Sequence, residues 1–308
     1  MSAGMGPHGF TLRQLQYVLA VAETGGFRKA AERCHVAQPS LSAQVAQLED
    51  ALGVVLFERG RRVLVTEAGE AVLVRVRRLL AEADDLETFA RGLGDPLDGT
   101  LRLGVIPTIA PYWLPEVVPA LEQAHPKLRA FWREDKTEVL VRAIEEGNLD
   151  AAIVAREADL GELVQDELGS DAFLLAVAPD DPLAKGKRPL DLAALEDRTM
   201  LLLDDGHCFG DQSRGLCARV GARELDFRAT SLGTLVQMVR GLHAITFLPA
   251  MAASAEGASS GLKLRRLRNA PRRTVVLVWR RSSPLGDGLR RLADSLRGVF
   301  PRGVETSV

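Results

Sequence analysis

At 308 residues the chain is long enough for about two domains of roughly 150 residues, each with its own core. Its 46% hydrophobic, 26% charged and 5% aromatic composition excludes the disordered, collagen-like and fibrous classes. Thirty-nine Lys plus Arg against 41 Asp plus Glu leave a net charge of -2, which excludes a protein basic throughout, so any nucleic-acid-binding surface must be local.

Residues 1–66 hold seven Arg or Lys against five Asp or Glu, net +2, while the remainder nets -4. From Leu12 the apolar positions Leu15, Val18, Leu19 and Ala22 recur at helical spacing, predicting an amphipathic helix that ends near Gly25-Gly26. A second helix is predicted from Phe27 to Cys34, with Ala30 and Ala31 facing the first. After His35-Val36-Ala37, Pro39 stands where a helix tolerates proline, in its first turn, and Leu41, Val45 and Leu48 continue the pattern. The stretch from Arg61 to Thr66 then alternates and reads as a small hairpin, or wing.

From Glu67 to about Gly92 no proline interrupts the helical pattern of Val72, Val76, Leu79, Leu80, Ala83 and Leu86. Such a helix is ~39 Å long at 1.5 Å per residue. Its apolar stripe has no local partner, so it reads as a linker helix that pairs with a copy of itself rather than a surface helix of a larger domain.

Gly92 to Gly99 is rich in turn residues, and beyond it strands alternate with helices. Strands are predicted at Leu101–Ile106, Leu128–Glu134, Asp150–Val154, Phe173–Ala178, Thr199–Leu203, Ala244–Leu248 and Thr274–Trp279, with helices at Leu114–Ala124 and Thr137–Glu146. The alternation predicts an α/β unit with a largely parallel sheet. Ala252 to Gly261 reads as a loop.

The longest apolar runs fall short of the ~18 to 20 residues of a membrane helix, and MSAGMGPHGF lacks the charged-then-apolar order of a signal peptide. No membrane association and a cytoplasmic location are expected. Three cysteines, Cys34, Cys208 and Cys217, are too few for a disulfide scaffold and too sparse for a zinc site. No metal or cofactor is therefore expected, and any chemistry of these thiols is redox.

A recognition helix in the major groove needs one apolar face for its own domain and small or polar hydrogen-bonding residues on the other. Gln38, Ser40, Ser42, Gln44 and Gln47 supply the polar set; Leu41, Val45 and Leu48 supply the buried one. Arg28, Lys29, Arg33, Arg59, Arg61 and Arg62 flank it, where they could neutralise phosphates. The same periodicity also suits a polar-faced helix of any α-helical domain.

The exact strings decide between these. Leu12-Arg13-Gln14-Leu15, FRKAAERC from Phe27, Gln38-Pro39-Ser40-Leu41-Ser42, Leu48-Glu49, Leu52-Gly53, Leu56-Phe57-Glu58-Arg59 and Thr66-Glu67-Ala68-Gly69 together resemble the LysR-type transcriptional regulators. The resemblance covers all but about the first nine residues. It implies an N-terminal all-α winged helix-turn-helix (1–66), a long linker and dimerisation helix (67–94), and a C-terminal α/β effector domain (99–308). That domain would consist of two Rossmann-like subdomains shaped like a periplasmic binding protein. It also implies promoter DNA as partner, assembly as a dimer or dimer of dimers, and contact with RNA polymerase.

Cys208 and Cys217 lie nine residues apart in DDGHCFGDQSRGLCARVGARELDFRATS. Spacing alone leaves open that both are small buried hydrophobes. Cys208 follows a strand and the turn Asp204-Asp205-Gly206, a strand-to-helix junction where unpaired N–H groups and the helix dipole favour a thiolate. Were residues 208–217 helical, nine steps of ~1.5 Å would hold the Cα atoms ~13.5 Å apart, against the ~7 Å limit for a disulfide. Closing such a bond must unwind the segment, and Gly210 and Gly215 make that less costly. Cys34 reads as core.

GHC and DQ either side of Phe209-Gly210, the second cysteine, FRATSL, FLPA, IPTIAPYWLP and PRRT are similar to the peroxide-sensing OxyR branch of that family. The resemblance implies that hydrogen peroxide oxidises Cys208, that Cys217 resolves it to a disulfide, and that a cellular dithiol reverses the reaction. It further implies that Thr108 and Thr137 help hold peroxide and that His207, Asp211 and Arg273 form the polar surroundings of the sulfur. Phe209-Gly210, Asp226 and the stretch from Arg240 to His243 depart from the branch's usual pattern. Competing readings are a regulator controlled by a small molecule in the cleft between subdomains, a thiol peroxidase, which leaves the first 66 residues unexplained, and a solute-binding protein, which lacks its export signal.

Overall fold

The computed structural model describes residues 9–60, 63–91, 95–257 and 260–301, which fall into two units that divide after Arg91. In the first unit, α1 (Leu12–Thr24) opens on a capping box in which Thr11 and Gln14 satisfy each other's backbone N–H groups. It stops at Gly25, whose φ of 65° is a left-handed cap that glycine adopts without strain. Helix α2 (Phe27–Arg33) leads through a turn at His35 into α3 (Gln38–Leu52). The strands β1 (Phe57–Arg59) and β2 (Val63–Val65) pair antiparallel as the wing. Leu15, Val18, Val21, Ala30, Leu41, Val45, Leu48, Leu56 and Phe57 close one core. The Glu49 carboxylate accepts the Leu56 and Phe57 amides at 2.7 and 3.2 Å, tying the end of α3 to the wing.

Helix α4 (Glu67–Arg91) contributes Leu73 and Val76 to that core. The expectation that its apolar stripe has no local partner is corrected: Val72 and Leu80 also pack against that core, and only Leu79 and Leu86 of the stripe stay exposed, at 48% and 68%, with Val74 exposed on another face at 49%. Among the described residues no helix is long and apolar enough to cross a membrane.

The second unit has two cores. In the first lobe β3 (Thr100–Val105) lies between and parallel to β4 (Arg129–Glu134) and β5 (Ala151–Ala155), with α5 (Ala110–Ala124) and α6 (Thr137–Glu145) as crossovers. Strand β6 (Val164–Val177) begins in this lobe and ends in the second. The second lobe contains β7 (Thr199–Leu203), α7 (Cys208–Val220), β8 (Arg223–Ala229), α8 (Leu232–Leu242), β9 (Thr246–Pro249) and β10 (Lys263–Arg266). Strand β11 (Arg272–Trp279) returns alongside β6, and α9 (Gly286–Gly298) packs Leu289, Leu292 and Leu296 into the first core.

Two further expectations are corrected. The sheet is mixed rather than largely parallel: β11 is antiparallel to β5 and β6, and β6 is antiparallel to β9 and β10. The cause is connectivity, because β6 leaves the first lobe and β11 comes back to it. The predicted loop from Ala252 starts instead as ordered turns, a 3-10 turn at Ala250–Ala252 and a π turn at Ala253–Gly257. Helix α5 also starts earlier than Leu114, since Pro111 lies in its first turn and Pro115 and Pro119 are both accommodated inside it.

Candidate redox site and nucleic-acid interface

The fold sets Cys208 at the first position of α7, directly after the turn from Asp204 to His207. Two glycines make this junction. Gly206 turns the chain at a φ of 81°, and a Cβ on Gly210 would sit 3.0 Å from the Leu203 carbonyl, a tight contact that glycine avoids where the first turn of α7 lies against the end of β7. Cys208 is 8% exposed and packs with the core of the first lobe, whereas Cys217 is 3% exposed and packs with that of the second. Both thiols are free, and Cys217 Sγ donates to the Ala222 carbonyl at 3.3 Å. With the segment helical throughout, the Cα atoms stand ~13.5 Å apart along the axis.

Arg273, the cation whose charge acts on the first sulfur, has no exposed surface. Its Nη1 donates to Thr108 Oγ1 at 2.6 Å, Nη2 to the Thr108 carbonyl at 2.9 Å and Nε to Asp171 Oδ2 at 3.0 Å. The guanidinium also lies 5.5 Å from the centre of the Phe209 ring. Asp171 is buried with it and accepts the Met251 amide at 3.1 Å; burial pushes its carboxyl up, and Arg273 opposes that shift.

Burial likewise pushes the Cys208 thiol up, and it prevails although the Arg273 charge, the Thr137 hydroxyl and the Phe209 amide pull it down. Thr137 starts α6, and its buried hydroxyl has no oxygen or nitrogen partner among the described residues. His207 is 5% exposed and its Nε2 is also without a partner there. Burial and the Lys136 charge push the imidazole down, so it is neutral near pH 7. The fold thus gathers Thr108, Thr137, Cys208 and Arg273, with His207 adjoining. Asp211 is turned away: its carboxylate is 58% exposed and pairs with Arg214 at 3.1 Å.

Asp171 and Lys136 were not singled out in the sequence. Asp171 had one signal, a lone carboxylate entering the apolar run AFLLAV, where a buried partner is needed. Lys136 had none beyond its place before Thr137.

In the first unit α3 presents Gln38 and Ser40 as exposed side chains, with Ser42 and Gln44 half-buried. Gln47 Oε1 accepts from Gln14 at 3.4 Å. Arg28 and Lys29 are exposed on α2, and Arg28 approaches Glu32 at 3.8 Å. Arg33 pairs with Glu23 at 2.5 Å, which competes with a phosphate contact. Arg61 and Arg62 lie outside the described residues. Cys34 is half-buried against the core.

Residues 12–70 match the bacterial regulatory helix-turn-helix model of the lysR family, and residues 94–301 match the LysR substrate binding domain. The DNA-binding transcriptional dual regulator OxyR of Escherichia coli K12 is 40% identical over 289 residues, 93% of this chain and 94% of its own. The chain belongs to the LysR family, in its OxyR branch. A probable hydrogen peroxide-inducible genes activator of Mycobacterium leprae is 39% identical over 287 residues, 92% of each chain. Among solved structures, a full-length OxyR cysteine variant from Pseudomonas aeruginosa superimposes with a TM-score of 0.77 at 33% identity, covering 94% of this chain and 95% of the other. A Corynebacterium glutamicum OxyR cysteine variant with hydrogen peroxide bound gives 0.64 at 35% identity and 94% coverage of both. The bipartite LysR architecture therefore applies here: a helix-turn-helix unit followed by a two-lobed α/β effector domain.

Proposed function

We propose that this chain is a hydrogen-peroxide-sensing transcriptional regulator in which oxidation of Cys208, completed by a Cys208–Cys217 disulfide, changes its hold on promoter DNA. The observation that carries the reading is the placement of Cys208 beside the Thr137 hydroxyl and Arg273, which itself holds the Thr108 hydroxyl, on the same helix as a second thiol sealed in another core. The Cys208 thiolate attacks one peroxide oxygen, the O–O bond breaks, and the departing hydroxide takes a proton to leave as water. Cys217 then attacks the sulfenic sulfur, the S–O bond breaks, and a second water leaves as the disulfide forms. Two thiols supply the two electrons that reduce one peroxide to two waters. A cellular dithiol restores the thiols by exchange, so the protein senses stoichiometrically rather than turning over as an enzyme.

On the DNA side, Gln38, Ser40, Ser42 and Gln44 read base edges while Arg28, Lys29, Arg61 and Arg62 contact phosphates. Leu79 and Leu86, exposed on one face of α4, support self-association as a dimer or dimer of dimers. RNA polymerase is the downstream partner, and the cytoplasm is the location. At the crossing of the lobes Arg273, Asp171 and Thr108 satisfy one another, which favours the thiol over a cleft-bound metabolite as the input.

The deciding comparison is between Cys208→Ser and Cys217→Ser. The first should abolish the peroxide response while sparing DNA binding; the second should still form a sulfenic acid but no crosslinked peptide by mass spectrometry. An unchanged transcriptional response in Cys208→Ser would overturn the reading.

A further inference from the structure

The turn that delivers Cys208 is held from both lobes. The Asp205 carboxylate is gripped from the second lobe by Arg228 on β8 at 2.8 Å and by Arg214 on α7 at 3.1 Å. Its carbonyl is gripped from the first lobe, where Lys136 Nζ donates to it at 2.6 Å. The same ammonium stands 3.9 Å from the Asp204 carboxylate, and a Cβ on Gly206 would lie 3.1 Å from Lys136 Cδ, so the lysine chain lies across the turn. Lys136 is fixed at its root: its carbonyl accepts the Leu140 amide at the start of α6, and Thr137, whose hydroxyl influences the sulfur, is the next residue.

We propose that Lys136 is a positioning residue for the redox reaction: its ammonium clamps the Asp204–His207 turn to the lobe that carries Thr108 and Thr137, keeping Cys208 seated for peroxide and delaying its departure toward Cys217. This rests on the reading of Cys208 as the peroxide-reactive thiol. In the first step the sulfur must stay among Arg273, Thr108 and Thr137, which the clamp favours. In the second it must travel to Cys217, which requires the turn to lift away from the first lobe, and the clamp opposes that. One interaction therefore acts on consecutive steps with opposite signs, which a general packing role would not do.

The test is rapid-quench alkylation of the full-length protein after mixing with hydrogen peroxide, counting Cys208 sulfenic acid and Cys208–Cys217 disulfide by mass spectrometry. Cys217→Ser isolates the first phase. A charge-assisted hydrogen bond that is partly exposed supports a change of about five- to tenfold. Lys136→Met should slow the peroxide-dependent phase by that factor and speed the peroxide-independent closure by a similar one, with Lys136→Arg restoring both. Equal rates in Lys136→Met and the parent, or changes of the same sign in both phases, would overturn the clamp. A parent protein that shows no peroxide-dependent oxidation of Cys208 would instead overturn the functional reading on which it rests.

Discussion

Cys208 and Cys217 share a helix and a low exposure, yet their surroundings differ in kind. Around Cys208 burial, reinforced by the Glu157 charge, prevails over a buried guanidinium, a threonine hydroxyl and a backbone amide that oppose it. Around Cys217 it is reinforced by Glu224 and opposed by Arg214 alone, while the thiol donates its proton to the Ala222 carbonyl. Equal burial therefore does not mean equal reactivity. Both thiols are held above their ordinary value by burial, but only the first has a buried cation and a hydroxyl beside it that offset part of that shift.

That contrast breaks most severely at Arg273. Arg273→Met removes the cation and strands Asp171, and breaking a buried pair on one side costs about 3–5 kcal/mol. Thermal unfolding should show that loss, the Cys208 thiol pKa should rise further, and its reaction with peroxide at pH 7 should slow accordingly. Adding Asp171→Asn should recover stability without recovering the rate. Recovery of both would mean that Arg273 acts on the fold rather than on the sulfur.

A sharper and smaller probe is Thr137→Val. The hydroxyl it removes is buried without an oxygen or nitrogen partner, so stability should hold or rise by about 1 kcal/mol. The pH at which peroxide reactivity reaches half its maximum should nevertheless move up. An unmoved pH profile would take Thr137 out of the sulfur's neighbourhood.

The smallest effect belongs to His207. Its folded pKa is depressed below 6.5 by burial and by Lys136, so below that pH the unfolded chain binds the proton more readily. The imidazole's contribution is fully present above 6.5 and is lost as the pH falls through the folded value. Denaturant titrations of His207→Asn should lack this slope, and an unchanged slope would assign it to another group.

The three N-terminal helices were readable because they are amphipathic and punctuated by Gly25 and Pro39, but the wing begins at Phe57, ahead of the hairpin predicted from Arg61, because Phe57 is apolar and buried and reads as core. The core side of the site was less so. Strand β6 passes from one hydrophobic core to the other, so its first half, VQDELG, carries the polar alternation of a half-exposed strand and escaped a reading tuned to apolar runs. Strand β8 is RELDFRA, charged on its open side, and α9 alternates arginines with its buried leucines. Arg273 and Thr108 could be named from motifs, but their mutual bond spans 165 residues of sequence and no local pattern encodes it. Asp211 illustrates the converse, since a first-turn carboxylate near a cysteine can face solvent.

The antiparallel ribbon of β6 and β11 is shared by both lobes, and Asp171 and Arg273 face each other across it. The guanidinium's hydrogen bonds to Asp171 and Thr108 lie outside the segment from Cys208 to Cys217 that the proposed cycle rearranges. On the proposed cycle, resetting would involve only the segment between the two cysteines, while Asp171 and Thr108 keep the guanidinium in place.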